Sequence, residues 1–299
     1  LPNNSYSRYN FSIRNTATFL KDRLTLDVGA SYIIQNDKNI TAQGQYFNPL
    51  PALYLFPRGD DFDNVRLYQR WDESRNLYTQ AWDYGSGDMS FQNPYWIMNK
   101  MINQTKKRRY MLSANLKYDV TDWLDVTGRV KVDNADMDIT EKRYAGTDTN
   151  FAGEKGMYSI IKRNDRQIYA DAIANIDLTF AGDYHLSANV GASLKDVRMD
   201  FMGWGGDLRK IPNFFSITNI STTNYKERED GSHIQSQSIF ANVELAWKSM
   251  LYLTVTGRND WESALAFSKY KSFFYPSVGL SAVVSEMVDM PEWFSFLKV

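Results

Sequence analysis

From Tyr110 to Val132 the chain reads YMLSANLKYDVTDWLDVTGRVKV, and apolar and polar residues alternate along it. Tyr110, Leu112, Ala114, Leu116 and Tyr118 fall on one face, and Met111, Ser113, Asn115, Lys117 and Asp119 on the other. After Val120-Thr121-Asp122-Trp123 the pattern resumes: Leu124, Val126, Gly128, Val130 and Val132 against Asp125, Thr127, Arg129, Lys131 and Asp133. Successive strand side chains point to opposite faces, so a strict period of two predicts two antiparallel strands joined by a tight turn. Each arm has about the ~9–11 residues a tilted membrane-crossing strand needs. The pair alone fits a barrel wall or a soluble sandwich. Recurrence decides between them.

The unit recurs along the chain. Tyr9, Phe11, Ile13, Ala17 and Phe19 alternate with polar residues, as do Leu24, Leu26, Val28, Ala30, Tyr32 and Ile34 after Lys21-Asp22-Arg23. Further rows run from Ile168 to Phe180, Tyr184 to Leu194, Ile239 to Trp247, Leu251 to Val255 and Pro276 to Val284. The closing Phe296-Leu297-Lys298-Val299 begins a tenth strand. Connections near Asp22, Asp122, Gly182 and Ser249 are short, whereas 36–105, 134–165, 196–236 and 259–272 read as long and polar. Outer-membrane barrels alternate short and long connections in this way, while a sandwich has no reason to put every long loop at one end. The expectation is an all-β fold, an antiparallel transmembrane β-barrel wall. It is incomplete, because an open sheet in lipid leaves two costly edges of unpaired backbone and a plugged barrel of this kind has ~22 strands.

Composition narrows the classes. In 299 residues Lys+Arg total 34 and Asp+Glu 35, a formal charge of −1, which gives no basic surface for nucleic acid. Cysteine is absent, which removes disulfides and thiolate metal sites. No run reaches the ~18 apolar residues of a transmembrane helix. A barrel is not excluded, because its apolar residues come at every second position. Leu1 opens almost directly into a strand and the chain stops within another, so an internal stretch of a longer protein is expected. Aromatics gather at strand ends (Tyr9, Tyr32, Tyr110, Trp123, Tyr184, Trp247 and Phe273-Phe274-Tyr275), where an interfacial girdle belongs. The polar faces mix both signs, as in a wet lumen that contacts a plug.

Five strings, in order, carry a resemblance: NPLPALYLFPRGDDFDN from Asn48, YGSGDMSFQNPYWIMNK from Tyr84, YDVTDWLDVTGRV from Tyr118, YLTVTGRNDWESAL from Tyr252 and FFYPSVGLSAVVSE from Phe273. Together they resemble the SusC/RagA-like TonB-dependent outer-membrane transporters. Ala266 departs from the family's frequent proline and Ala282 from its frequent tryptophan. The resemblance implies that residues 1–299 are part of a 22-stranded barrel domain whose plug and later strands lie elsewhere. It also implies import of oligosaccharides or peptides, a SusD-like lid lipoprotein, energy from TonB, and a place in the outer membrane against lipid. The other class is a passive pore or an adhesive barrel, needing neither plug nor partner.

Catalysis is not expected. Asp60, Asp61 and Asp63 crowd together, as do Glu227, Glu229 and Asp230, but neither group has the remaining pattern of a calcium loop, and His185 and His233 stand apart. No cofactor or metal is therefore expected. Lys106-Lys107-Arg108-Arg109, where a strand leaves its loop, suits anionic headgroups or a solvated run equally. Candidate ligand or partner contacts are the flat loop aromatics Trp71, Trp82, Tyr84, Trp96 and Trp204. The competing role for each is internal packing of its loop.

Overall fold

The computed structural model describes residues 1–40, 44–84, 91–288, 290–291 and 293–299. The string from Tyr84 to Lys100 is thus described apart from residues 85–90. The strands, numbered in chain order, are β1 (Ser5–Phe19), β2 (Leu24–Lys38), β3 (Gln69–Asp72), β4 (Leu77–Gln80), β5 (Met101–Thr121), β6 (Leu124–Tyr144), β7 (Gly156–Phe180), β8 (Tyr184–Leu208), β9 (Ile220–Trp247), β10 (Leu251–Glu262) and β11 (Ser272–Ala282). Nine of them form one antiparallel sheet in the order β1-β2-β5-β6-β7-β8-β9-β10-β11; β3 and β4 make a separate hairpin. Every neighbour in the large sheet is the next strand of the sheet along the chain, the meander of an up-and-down barrel wall. Short turns hold positive φ where the chain reverses, at Ala181 and Gly182 and at Lys248 and Ser249. Such turns match the twist of the flanking strands.

The register lays the apolar rows side by side. Val130 pairs with Ala114 on β5 and with Ala170 on β7, and Val190 pairs with Ala174 and Ala241. Ile13, Leu112, Val126, Ala172, Val190 and Leu253 are exposed, and Leu26 and Val243 are half-buried. A sandwich would have buried this row between two sheets. Here the protein turns it outward, as a wall facing lipid does. The opposite face carries ion pairs between adjacent strands, including Arg14–Asp27 at 2.9 Å, Arg129–Asp171 at 2.8 Å and Arg109–Asp133.

Among the described residues β1 pairs only with β2 and the last strand does not return to it, so the described sheet is open. The expected tenth strand is no more than a start: Ala282 and Val299 exchange backbone bonds of 2.8 and 2.9 Å, beside a bridge from Val283 to Lys298. Three of the expected long connections contract. The strands β6 to β9 run on, leaving only 145–155 and 209–219, and the β10–β11 link is 263–271. His233, expected in a loop, lies within β9. The reason is physical: beyond the apolar band both faces of a strand meet water, so the hydrophobic alternation fades while the hydrogen-bond ladder continues.

Placing a charge in the apolar row tests the facing. Val126→Arg in the full-length barrel is expected to cost ~2–4 kcal/mol, as for a cation near the middle of a lipid-facing wall. Thr127→Arg, one residue along and on the polar face, is expected to cost far less. Urea midpoints of the refolded barrel in lipid would read both, and equal losses would contradict the assigned faces.

Candidate functional site: a platform of three long connections

The connection between β2 and β5 folds on its own local signals. Asn48 caps α1 (Pro49–Tyr54), its side chain accepting from the Leu50 N–H at 3.0 Å, with proline at the first helical position. A short α2 (Asp63–Arg66) and the β3–β4 hairpin follow, and then α3 (Pro94–Lys100). Asn93, fully buried, ties these pieces together. Its side chain accepts from the Tyr95 N–H at 2.8 Å and donates to the carbonyls of Val65 at 2.9 Å and Ala81 at 3.1 Å. Its own N–H donates to Gln80 Oε1 at 2.6 Å.

Trp96 and Ile97 of α3 and Met101 form a small core, with Phe47, Tyr68 and Tyr144 packed against it. The connection 145–155 docks on this one, and 209–219 docks in turn on 145–155. Trp96 Nε1 donates to Thr147 Oγ1 at 3.0 Å, and the Asp148 N–H donates to Gln92 Oε1 at 3.3 Å. Asn213 accepts from the Ala145 N–H at 2.7 Å, while Phe215 meets the rings of Tyr144 and Tyr158. Burial pushes the Lys100 and Arg143 cations below their usual pKa, with Glu141 opposing that shift at Arg143. Each lies over an aromatic face, Lys100 on Tyr144 at 4.8 Å and Arg143 on Phe47 at 4.6 Å.

Beneath the platform a cavity of about 690 Å³ opens on the polar face of β6 to β9. Arg143, Phe151, Ser159, Phe201, Gly205 and Arg228 line it. Its size is that of a small-ligand cleft. Gly205 leaves room there, since a Cβ would stand 2.8 Å from Ser159 Oγ. Sequence reasoning missed these residues, because they come together only through the register of four strands. The one local signal was the glycine run Gly203-Trp204-Gly205-Gly206.

The five expected contact aromatics do not converge. Trp96 is 0% exposed and holds the platform core, so packing, not contact, is its place. Trp71 is 49% exposed and meets Tyr78 edge-on at 5.1 Å. Trp82 and Tyr84 are half-buried; Tyr84 meets both Trp82 and Phe56, with ring centroids 5.0 Å apart in each case. Trp204 shares a strand face with Met202, the face continuous with the apolar row. Neither acidic group forms a metal-holding set among the described residues. Asp61 accepts from the Asp63 N–H at 3.0 Å, a local turn, and in β9 Glu227 and Glu229 face away from Asp230. The basic run Lys106 to Arg109 lies inside β5, with Arg108 paired to Asp138 at 3.4 Å and Arg109 to Asp133 on opposite faces.

No family model and no curated protein matches the sequence. Solved structures do. The RagAB peptide transporter matches with a TM-score of 0.74 over 99% of this chain and 32% of its own, at 15% identity. The fold is that of a stretch of antiparallel β-barrel wall, shared with this transporter over nearly the whole chain. The open-open state of the RagAB peptide importer gives 0.69 at 14% identity, covering 94% of this chain and 30% of its own. Its closed-closed state gives 0.67 at 14%, again over 94% and 30%. The chain therefore spans about a third of the length of these structures.

Proposed function

We propose that this chain is wall and mouth of an outer-membrane importer of oligomeric nutrients, peptides or oligosaccharides. In that reading it is part of a 22-stranded barrel with a plug, works with a SusD-like lid lipoprotein, and draws energy from TonB. The likeness to a peptide transporter along 99% of the chain is the observation that carries it. The exposed apolar face and the ion-paired polar face support the same placement, since lipid and a wet lumen ask for them. The aromatics Trp71, Trp82, Tyr84 and Trp204 are the proposed ligand or partner contacts.

Uptake by the full-length protein in cells tests the proposal. Alanine at Trp71, Trp82 and Tyr84 is expected to weaken lid binding or uptake with the barrel still inserted. A single hot-spot loss is typically ~2 kcal/mol or more, about thirtyfold at ~1.4 kcal/mol per decade. Uptake that persists when the membrane is de-energised would favour a passive pore instead. Unchanged uptake and lid binding across all three would leave these rings a purely structural role.

A further inference from the structure

A second cavity, of about 900 Å³, lies on the other side of the wall. Its floor is Ala170, Ala172 and Ala192, and its sides are Leu194, Ile239 and Trp261. The register makes these one patch: Ala172 pairs with Ala192 and Ala192 with Ile239, while Ala170 pairs with Leu194 in the next row. All belong to the apolar row. The connection after β10 roofs the upper end. There the Gln235 N–H donates to Ser263 Oγ at 2.8 Å and the Ser236 hydroxyl to Glu262 at 2.6 Å, which seats the 3-10 turn Ser263–Leu265.

We propose that this groove holds an acyl chain of a phosphate-headed membrane lipid, with Lys271 at its rim against the phosphate. The proposal rests on the membrane reading above and adds a defined lipid site to it. Depth is the first argument. Ala170 and Phe180 lie on one face of β7, and Phe180 adjoins the short turn at Ala181-Gly182. About ten tilted residues span the apolar thickness, so the groove sits at its upper limit. The next residues on that face turn polar: Arg166 on β7, Asp196 and Arg198 on β8, and His233 on β9. An apolar chain below and a charged head above is the chemistry this boundary accepts.

Charge is the second argument. Lys271 lines the groove and, among the described residues, has no ion-pair partner. The carboxylates that line the groove are already held, Glu262 by the Ser236 hydroxyl at 2.6 Å and Asp171 by Arg129 at 2.8 Å. Gln235 and Gln237 line the same edge and offer amide donors to phosphate or ester oxygens. Around the rim, Phe267, Tyr270 and Phe274 are exposed, the residue types that anchor at a headgroup level.

The test uses the full-length protein in phosphatidylcholine vesicles doped with phosphatidylglycerol brominated in its acyl chains. Trp261 is the reporter, read as the difference between the protein and its Trp261→Phe form. We expect it to be quenched at a lower fraction of brominated phosphatidylglycerol than of brominated phosphatidylcholine. Lys271→Gln should raise the half-quenching fraction about fivefold, the effect of one cation beside an anionic surface. Ala192→Phe, which fills the groove, should abolish the preference. Equal quenching by the two lipids would overturn the phosphate assignment. Identical quenching in the wild type and Ala192→Phe would overturn the groove. A Trp261 shielded from lipid, with cross-linking to a second polypeptide, would give the groove a protein occupant and overturn the proposal likewise. Failure of the barrel to insert, seen as no quenching of any tryptophan, would instead strike the membrane reading on which it rests.

Discussion

Trp96→Ala will cost the platform about 3–5 kcal/mol, the range for deleting a large buried aromatic. The ring is wholly enclosed, its Nε1 bond to Thr147 joins two connections, and Ile97 and Met101 pack beside it. The loss should be local, because the sheet below is held by its own ladders. Hydrogen exchange in the full-length protein should therefore speed up around α3 and residues 145–155, while β7 and β8 keep their protection. Trp96→Phe should recover the packing but not the hydrogen bond, and so fall between the two. Exchange unchanged in α3 would show that Asn93 and its four hydrogen bonds hold the segment without the ring.

Arg129→Met will damage the wall by about 3 kcal/mol, the low end for removing one partner of a buried ion pair, because Asp171 is enclosed while the Arg129 side chain is 40% exposed to solvent. Asp171 is only 6% exposed, and Arg129 bonds both of its carboxylate oxygens, at 2.8 and 3.1 Å. Without the guanidinium the carboxylate is left enclosed in a polar face that other side chains already fill. Asp171→Asn should cost less, because it leaves no buried charge behind. The double variant Arg129→Met with Asp171→Leu should recover much of the loss, since two apolar groups leave nothing unpaired. Denaturant midpoints in lipid check all three, and a double variant no better than Arg129→Met would contradict the account.

The wall was legible in the sequence wherever one face had to be apolar and the other polar. Leu112, Val126, Val190 and Leu253 fall on one face of the sheet for that reason. The upper strand halves were not legible. Met137 and Ile139 lie on the polar face of β6, and Asp136 and Asp138 on the other, so the polarity pattern reverses where the strand persists. Short connections were found because strand rows end abruptly at them. The platform was half legible: Asn48-Pro49 and Asn93-Pro94 are helix-start signals readable in sequence. Which aromatics it encloses depends on docking between connections some fifty residues apart, as Trp96 on Thr147 shows, and no local pattern carries that. Arg143, Phe201 and Arg228 were invisible as a group for the same reason.

The length of β7 sets the height of the mouth. From Gly156 to Gln167 the strand runs beyond the apolar row, and at ~3.3 Å per residue and a tilt near ~40° that stretch rises roughly 30 Å. The wall is thus a chimney as well as a membrane crossing. Under the proposed importing role, a cargo caught at the rim would first leave the surrounding solution, then descend a walled shaft, and only afterwards meet the level of the lipids. Because the same strands run unbroken through both zones, a push on the rim reaches the membrane segment as tilt or translation of stiff staves, with no hinge in between to absorb it.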